Sequence, residues 1–494
     1  MKERTVLNNQ IDTKRTKIVA TLGPTSWDEE IIRRMIHLGM DVARINFSHG
    51  DHDQHSKTID LVRKVAEEEG AVVAIMCDIQ GPKIRIGDVA QEPLELTQGS
   101  IVKLTLDTVS GDEKTISLPH PEFVKDIRAG MQLLLDDGNI EFLVKEATET
   151  ALICEVVTGG QLWSRKGVTA PKAQLSLSAI TDKDRDDVKL ALSKQTDYIA
   201  MSFVRSEEDI REMRWLIRHL GGDAAVIAKI EKLEALQRIG EIIIAADGIM
   251  VARGDLGIET PAEEVPFHQK RIIHLCNSAS KPVITATQML SSMVDNPRPT
   301  RAEASDVYNA IVDGTDAVML SNETAMGDYP VEAVKTMATI ATIAEQHIWS
   351  DRTPEWDSHR SDTESDNNDI VADAISEATY HISEMLKPRA IVTSTQTGYT
   401  ARRVARERPR TPIICATPNP ITFRRMALVW GVLPLRIPEF RTIDEMISVV
   451  VRAASDGELV KAGDTLVILA GVPFGVGGHT NLLKLHRVGE SNEL

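Results

Sequence analysis

VIAKIEKLEALQRIGEIIIAADGIMVARGDLGIE, residues 226–259, decides the fold. It opens with an apolar run, Val226-Ile227-Ala228, that breaks into Lys229-Ile230-Glu231. Leu233, Leu236, Ile239 and Ile243 follow at helical spacing. A second apolar run, Gly248-Ile249-Met250-Val251-Ala252, ends in Arg253-Gly254-Asp255. The stretch reads as strand, helix, strand, with charged residues closing each strand. In a parallel α/β barrel, strand ends carry the catalytic groups. Glu231 and Asp255 are therefore expected at neighbouring strand ends, close enough to share one ion. Carboxylate oxygens suit a hard cation such as Mg2+, and Lys229 adds a positive charge beside it. A structural ion pair with no catalytic role would use the same residue types.

The alternation repeats on both sides. Strands are predicted at 17–21, 41–46 and 72–78 before the stretch, at 198–202 just ahead of it, and at 282–287 and 316–320 after it. Ser26 is the expected N-cap of a helix running to about Gly39, and a second helix is expected over 53–69. Eight strands close a TIM (β/α)8 barrel. Their ends carry Thr21, Arg44, Asp78, Ser202, Lys229, Asp255, Thr287 and Ser321, all able to do chemistry.

Two segments depart from this pattern. From 88 to 172 the predicted strands are short and lack intervening helices: 101–106, 114–118, 132–135, 140–146 and 151–157. This is an inserted all-β barrel domain, returning through Ser164-Arg165-Lys166-Gly167-Val168. The catalytic barrel is thus expected to span 1–87 and 173–350. A polar loop at 351–369 opens a C-terminal open-sheet α/β domain, 351–494, with a helix at 370–386 and strands at 390–393, 413–416, 432–436 and 465–470. Between its first strand and a basic helix at 401–408 lie Ser394, Thr395, Thr397, Gly398 and Thr400. Hydroxyls and backbone N–H groups at a strand-to-helix turn suit an anion. Gly471, Gly475, Gly477 and Gly478 form a second loop ahead of Thr480.

Composition narrows the function. A net charge of −17 argues against a nucleic-acid partner, and an anionic substrate must find a local positive pocket. Cys77, Cys154, Cys276 and Cys415 are scattered, with no metal-ligand spacing, which suits a reducing cytoplasm. No apolar run approaches the roughly 20 residues that span a bilayer, and the N-terminus has no signal-peptide core.

Several runs resemble those of pyruvate kinases: Ala43-Arg44-Ile45-Asn46-Phe47-Ser48-His49-Gly50, Asp78-Ile79-Gln80-Gly81-Pro82-Lys83-Ile84-Arg85, Ala228-Lys229-Ile230-Glu231, Met250-Val251-Ala252-Arg253-Gly254-Asp255-Leu256-Gly257 and Ala286-Thr287-Gln288-Met289-Leu290. Asn296-Pro297-Arg298-Pro299-Thr300-Arg301-Ala302-Glu303, Met319-Leu320-Ser321 and the ending Thr480-Asn481-Leu482-Leu483-Lys484 extend the resemblance over nearly the whole chain. It implies phosphoryl transfer from phosphoenolpyruvate to ADP, giving pyruvate and ATP. Glu231 and Asp255 would bind Mg2+ (or Mn2+), and Lys229 would neutralise the phosphoryl group in flight. Arg44 would hold the phosphate, with the Gly254 backbone, Asp255 and Thr287 contacting substrate. Asn46, Ser48, His49, Arg85 and Lys166 would meet the nucleotide, Lys166 carried by the insert as a lid. Thr287 and Ser321 would serve a water relay that protonates the enolate.

The resemblance further implies a homotetramer and an effector, a phosphorylated sugar or nucleotide, held by Ser394, Thr395, Thr397, Gly398, Thr400, Gly478 and Thr480. Many members hold K+ through the positions of Asn46, Ser48 and Asp78 and the Ile79 carbonyl. Those members carry Glu where this chain has Lys83, and Thr-Lys where it has Ile79-Gln80. A lysine ammonium is a fixed monovalent charge, so activity is expected not to require K+. Asn322 stands where glycine is common, and Thr169-Ala170 where Asn-Leu is common. Two other readings use the same fold. A barrel lyase acting on pyruvate enolate would need neither the β insert nor Lys166 and Arg85. A catalytically dead regulator that binds phosphometabolites would show damage at Lys229, Glu231 or Asp255, and none is damaged.

Overall fold

Apolar runs without polar alternation suit strands covered on both faces, and that is how the barrel uses them. A computed structural model of the protein describes residues 14–171, 173, 175–351, 367–474 and 479–490. Eight parallel strands close on one another: β1 (Lys17–Leu22), β2 (Val42–Asn46), β3 (Ala74–Ile79), β4 (Tyr198–Met201), β5 (Ala225–Ile230), β6 (Gly248–Ala252), β7 (Val283–Ala286) and β8 (Ala317–Leu320). Each pairs with its neighbours in sequence, and β8 pairs with β1. Side chains alternate along each strand. Ile18, Ile75, Val226 and Val283 face the helix layer, while Val19, Met76, Ile227 and Ile284 fill the barrel interior.

One device ties the N-terminal face of the barrel. An aspartate at the entrance to each even-numbered strand accepts a backbone N–H from the preceding odd-numbered strand. Asp41 accepts from Ile18 at 2.8 Å, Asp197 from Ile75 at 2.8 Å, Asp247 from Val226 at 2.8 Å and Asp316 from Val283 at 3.0 Å. Each carboxylate also has a cation beside it: Lys14, Arg63, Arg214 and Arg408 respectively. A carboxylate kept in this way satisfies N–H groups at the strand starts, with Asp41, Asp197 and Asp316 buried and Asp247 partly exposed.

Some local expectations change. The first barrel helix, Glu29–His37, is capped by Asp28 and not by Ser26: Asp28 Oδ1 accepts from Glu30 and Ile31 at 2.9 and 3.2 Å. Ser26 ends a 3-10 turn, Pro24–Ser26, and its hydroxyl accepts from Gly23 at 3.0 Å. An ionised carboxylate two residues nearer the helix outcompetes a hydroxyl for the free N–H groups. The helix expected between β5 and β6 is two, Leu233–Gln237 and Ile239–Ala245, broken where Arg238 leaves helical dihedrals.

The segment after β3 folds around its own apolar core, which includes Val102, Leu104, Phe123, Phe142 and Leu152. It holds a six-stranded and a two-stranded sheet. Beyond the predicted strands it contains Leu94–Leu96, Gly160–Leu162, Val168–Thr169 and a short helix, Pro121–Asp126. Its two connections to the barrel run side by side as a stem: Ile86 N donates to Lys166 O at 3.0 Å, Val168 N to Ile84 O at 2.9 Å and Arg165 N to Gly87 O at 3.2 Å.

The C-terminal sheet contains β9 (Ala390–Ser394), β10 (Ile413–Thr417), β11 (Val432–Arg436), β12 (Thr465–Ala470) and β13 (Leu482–Arg487), in the order β11-β10-β9-β12-β13. β13 runs antiparallel to β12 and was not predicted, because an edge strand with one exposed face carries little apolar signal. Ala427 and Leu428 of this domain press into the floor of the barrel interior. Gly475, Gly477, Gly478 and most of the polar loop at 351–369 lie outside the described residues. Among the described residues no helix is long and apolar enough to cross a membrane, and the four cysteines are buried free thiols.

Candidate active site

The strand period carries chemistry to the barrel mouth. Val19, Val42, Met76, Ala200, Ile227 and Met319 belong to the interior core. Two residues further on, in the same phase, stand Thr21, Arg44, Asp78, Ser202, Lys229 and Ser321. Packing therefore gives way to polar groups over a single step along each strand.

Lys229 is the hub. Its Nζ lies 2.7 Å from Ser202 Oγ, 2.9 Å from Glu231 Oε1 and 3.1 Å from Asp78 Oδ1. Arg44 Nε donates to Asp78 Oδ2 at 2.8 Å, and Arg44 Nη1 to Thr21 Oγ1 at 2.9 Å. Asp78 is 1% exposed and sits between the two cations. Burial alone would push its carboxyl up, but Lys229 and Arg44 together hold it below the usual carboxylate range. Burial would likewise discharge Lys229, yet Asp78 and Glu231 keep it above the ordinary lysine value. Glu231 Oε2 accepts from Phe203 N at 2.7 Å.

Asp255 and Thr287 leave the strand register. Asp255 does not stand at the end of β6, where the sequence reading put it; the chain turns into a helix, Arg253–Glu259, directly after Ala252, and Asp255 occupies its first turn. Burial and the neighbouring Glu231 carboxylate raise Asp255 to about 6. Thr287 has φ 67° and Gln288 φ 54°. A β-branched residue in the left-handed region carries about 1–3 kcal/mol of strain. The kink lets Thr287 Oγ1 accept from Gly254 N at 2.9 Å, joining the β6 and β7 loops. Arg253 braces the same turn, its guanidinium donating to Thr287 O at 2.7 Å and pairing with Asp306. Ser321 N donates to the buried Glu323 at 2.7 Å, and Glu323 also accepts from Leu290 N at 3.1 Å.

The remaining mouth residues are less tightly joined. Asn46 Oδ1 accepts from Ser48 N at 3.1 Å, and the Ile79 carbonyl accepts from Ser202 Oγ at 2.8 Å. Burial lowers the His49 imidazole, and Arg85, Lys83 and Arg44 lower it further, which marks this side of the mouth as positive. Lys83 makes no ion pair among the described residues and lines the cleft between insert and barrel with Asp137, Phe203, Lys232 and Asp255. Arg85, on the stem, and Lys166 are both bonded to the insert: Arg85 donates to Arg165 O at 2.9 Å, and Lys166 pairs with Asp136 at 2.5 Å.

In the sequence Thr21 and Ser202 stand out only as strand-end residues, and nothing there marks Arg253, Glu323 or the Phe203 N–H. The inward phase was the available signal for Ser202 and Thr21. The rest depend on loop paths that no local pattern encodes.

In the C-terminal domain the loop after β9 is held by Thr395 Oγ1, which accepts from Gly398 N at 3.1 Å. Gly398 has φ 77° and precedes the helix Tyr399–Arg406. The Thr400 and Thr480 hydroxyls meet at 2.8 Å, bringing the two loops together. Ser394 Oγ is buried and has no hydrogen-bond partner among the described residues.

Two family models match: "Pyruvate kinase, barrel domain" over residues 13–334 and "Pyruvate kinase, alpha/beta domain" over 373–486. The chain is 47% identical over 485 residues to the pyruvate kinase of Geobacillus stearothermophilus, covering 97% of this chain and 81% of that one. It is 43% identical over 477 residues to the pyruvate kinase of Clostridium perfringens, covering 96% and 100%. It is 45% identical over 479 residues to pyruvate kinase 2 of a Synechocystis strain, covering 96% and 79%.

The raised Asp255 carboxyl sets a pH dependence. A carboxyl held near 6 when folded, against about 3.9 unfolded, contributes stability that is present at low pH and lost as pH rises through 6. With divalent cations removed by chelation, Asp255→Asn therefore raises the melting temperature at pH 7.5 and raises it much less at pH 4.5. Calorimetric scans at the two pH values check this.

Proposed function

The chain belongs to the pyruvate kinase family, and from that premise we propose how its residues divide the work. The reaction transfers the phosphoryl group of phosphoenolpyruvate to ADP, giving pyruvate and ATP, the last step of glycolysis. The reading of the site rests on one observation: Lys229 is held at the barrel mouth by Asp78, Ser202 and Glu231. Phosphoryl transfer leaves little covalent work to the protein, so positioning and charge stabilisation dominate. Lys229 is the group that meets the negative charge on the phosphoryl oxygens, and Arg44 orients the phosphate.

Glu231 and Asp255 would hold Mg2+ (or Mn2+). Two carboxylates fit this ion, which is usually held by one or two protein carboxylates plus substrate oxygens and water. Burial and the repulsion from Glu231 together raise Asp255, and a divalent cation would relieve both. When bound, the ion supplies charge neutralisation and polarises the substrate oxygens. The Gly254 N–H and Thr287 hydroxyl take the carboxylate end of phosphoenolpyruvate. Asn46, Ser48, His49, Arg85 and Lys166 contact the nucleotide, with Lys166 exchanging Asp136 for phosphate oxygens as the insert swings on its paired stem. Closure excludes water and so suppresses hydrolysis. Thr287 and Ser321 carry the proton to the enolate through water. The active form is a cytoplasmic homotetramer. Pyruvate formation from phosphoenolpyruvate, assayed with and without ADP, tests the whole reading: strict ADP dependence supports it, and pyruvate release without ADP counts against it.

K+ is not required. Lys83 makes no ion pair among the described residues and acts as a fixed cation on Asp255 and His49, which supports this reading. Replacing K+ by tetramethylammonium lowers turnover by less than tenfold, about 1.4 kcal/mol of barrier; a larger fall returns K+ to the mechanism.

The C-terminal domain takes a phosphorylated sugar or nucleotide. The strand order reverses between β9 and β12, and ligands of open α/β sheets bind at such a switch point. The loop carrying Ser394, Thr395, Thr397, Gly398 and Thr400, and Thr480 ahead of β13, flank it. Thr395→Ala with Thr397→Ala abolishes activation by the effector and leaves basal turnover unchanged; persistent activation removes this site from the account.

A further inference from the structure

A cavity of about 460 Å3 lies between the N-terminal face of the barrel and the C-terminal domain, at the opposite end of the barrel from Lys229. Four cationic side chains line it: Lys281, Arg402, Arg403 and Arg425. Arg403 is neutralised by Asp369 and Asp373. The other three have no carboxylate within hydrogen-bond distance among the described residues. Lys281 Nζ donates to the Ala246 carbonyl at 2.6 Å, Arg402 Nη1 to the Thr397 carbonyl at 3.1 Å and Arg425 Nε to the Asp197 carbonyl at 3.2 Å. The carboxylate nearest Arg425 is Asp223, 3.7 Å away.

The two acidic residues on the cavity wall are committed elsewhere. Asp247 holds Arg214 and the Val226 N–H. Asp369 holds Arg403 and accepts from the Tyr399 hydroxyl. Two buried polar atoms on the wall, Arg425 Nη2 and Ser280 Oγ, have no hydrogen-bond partner among the described residues. The three cations also feel one another. Burial lowers Arg402 and Lys281 from their ordinary values; Asp247 offsets part of this in both, and Arg425 lowers Arg402 further, as Arg402 does Lys281. Like charges gathered away from bulk water carry a desolvation and repulsion cost that an anion removes.

We propose that this cavity is a binding site for a small phosphomonoester, with its phosphate held by Lys281, Arg402 and Arg425. Two guanidinium forks and an ammonium match a tetrahedral dianion better than a planar monoanion. The volume falls within the range of small-molecule sites and exceeds what a bare phosphate fills. The hydroxyls of Ser280 and Thr422 suit a polar remainder of the ligand. The site is separate from the switch-point loops, although Thr397 borders both, and it does not rest on the catalytic reading.

Phenyl phosphate is the probe, titrated calorimetrically into the full-length protein with phenol as the uncharged control. Phenyl phosphate binds and phenol does not. Lys281→Met and Arg402→Gln each weaken binding about tenfold or more, whereas Thr395→Ala in the switch-point loop leaves it unchanged. Absence of binding to the wild-type protein, equal affinity in the Lys281 and Arg402 variants, or loss in Thr395→Ala overturns the proposal. Crystals of the wild-type protein soaked in phenyl phosphate test it without any variant. Phosphate density between Arg402 and Arg425 supports the site, and density confined to other sites refutes it.

Discussion

A carboxylate buried between two cations governs the barrel mouth. Asp78 spends one oxygen on Lys229 and the other on Arg44. Without it, two positive side chains from β2 and β5 would face each other in a largely buried region. With it, both are fixed before any substrate arrives. A charge fixed in advance stabilises a transition state without reorganising at the moment of reaction. Glu231 joins the same network through Lys229, so the lysine proposed to meet the phosphoryl group and the carboxylate proposed for the metal are oriented by one set of polar contacts.

The two ends of the barrel use aspartate for different purposes. At the N-terminal face, Asp41, Asp197, Asp247 and Asp316 accept backbone N–H groups and hold the strands in register. At the C-terminal mouth, Asp78 and Asp255 act on other charges. This division between a stability face and a chemistry face is general to such barrels. Here the stability face also carries the contact with the C-terminal domain: Asp316 meets Arg408, Asp197 meets Arg424, and the Lys17 ammonium donates to the Val432 carbonyl at 2.8 Å. The strands that end in the mouth's polar groups therefore begin against the C-terminal domain.

Much of this was legible in the sequence because a buried parallel strand writes itself as a short apolar run, and its end falls in a predictable phase. Arg44, Asp78, Lys229 and Ser321 follow from that rule alone. Asp255 was placed one element early, since nothing in Met250-Val251-Ala252 tells a strand from the helix that begins at Arg253. Thr287 sits in the mouth by virtue of a left-handed backbone, and the preference of threonine for extended conformations gives no hint of it. Ser26 was the expected cap, and the path of the turn after it gives that role to Asp28. The short strands Leu94–Leu96 and Gly160–Leu162 fell below any periodicity, as they gain their stability from pairing across the insert.

The central claim is that the Lys229 ammonium, fixed by Asp78 and Glu231, carries the charge of phosphoryl transfer. Steady-state turnover of Lys229→Met at saturating phosphoenolpyruvate, ADP and Mg2+ measures this most directly. The account predicts a loss of about 1,000-fold or more, near 4 kcal/mol, in a protein whose melting temperature shows it to be folded. A folded variant that keeps more than a tenth of wild-type turnover would contradict it.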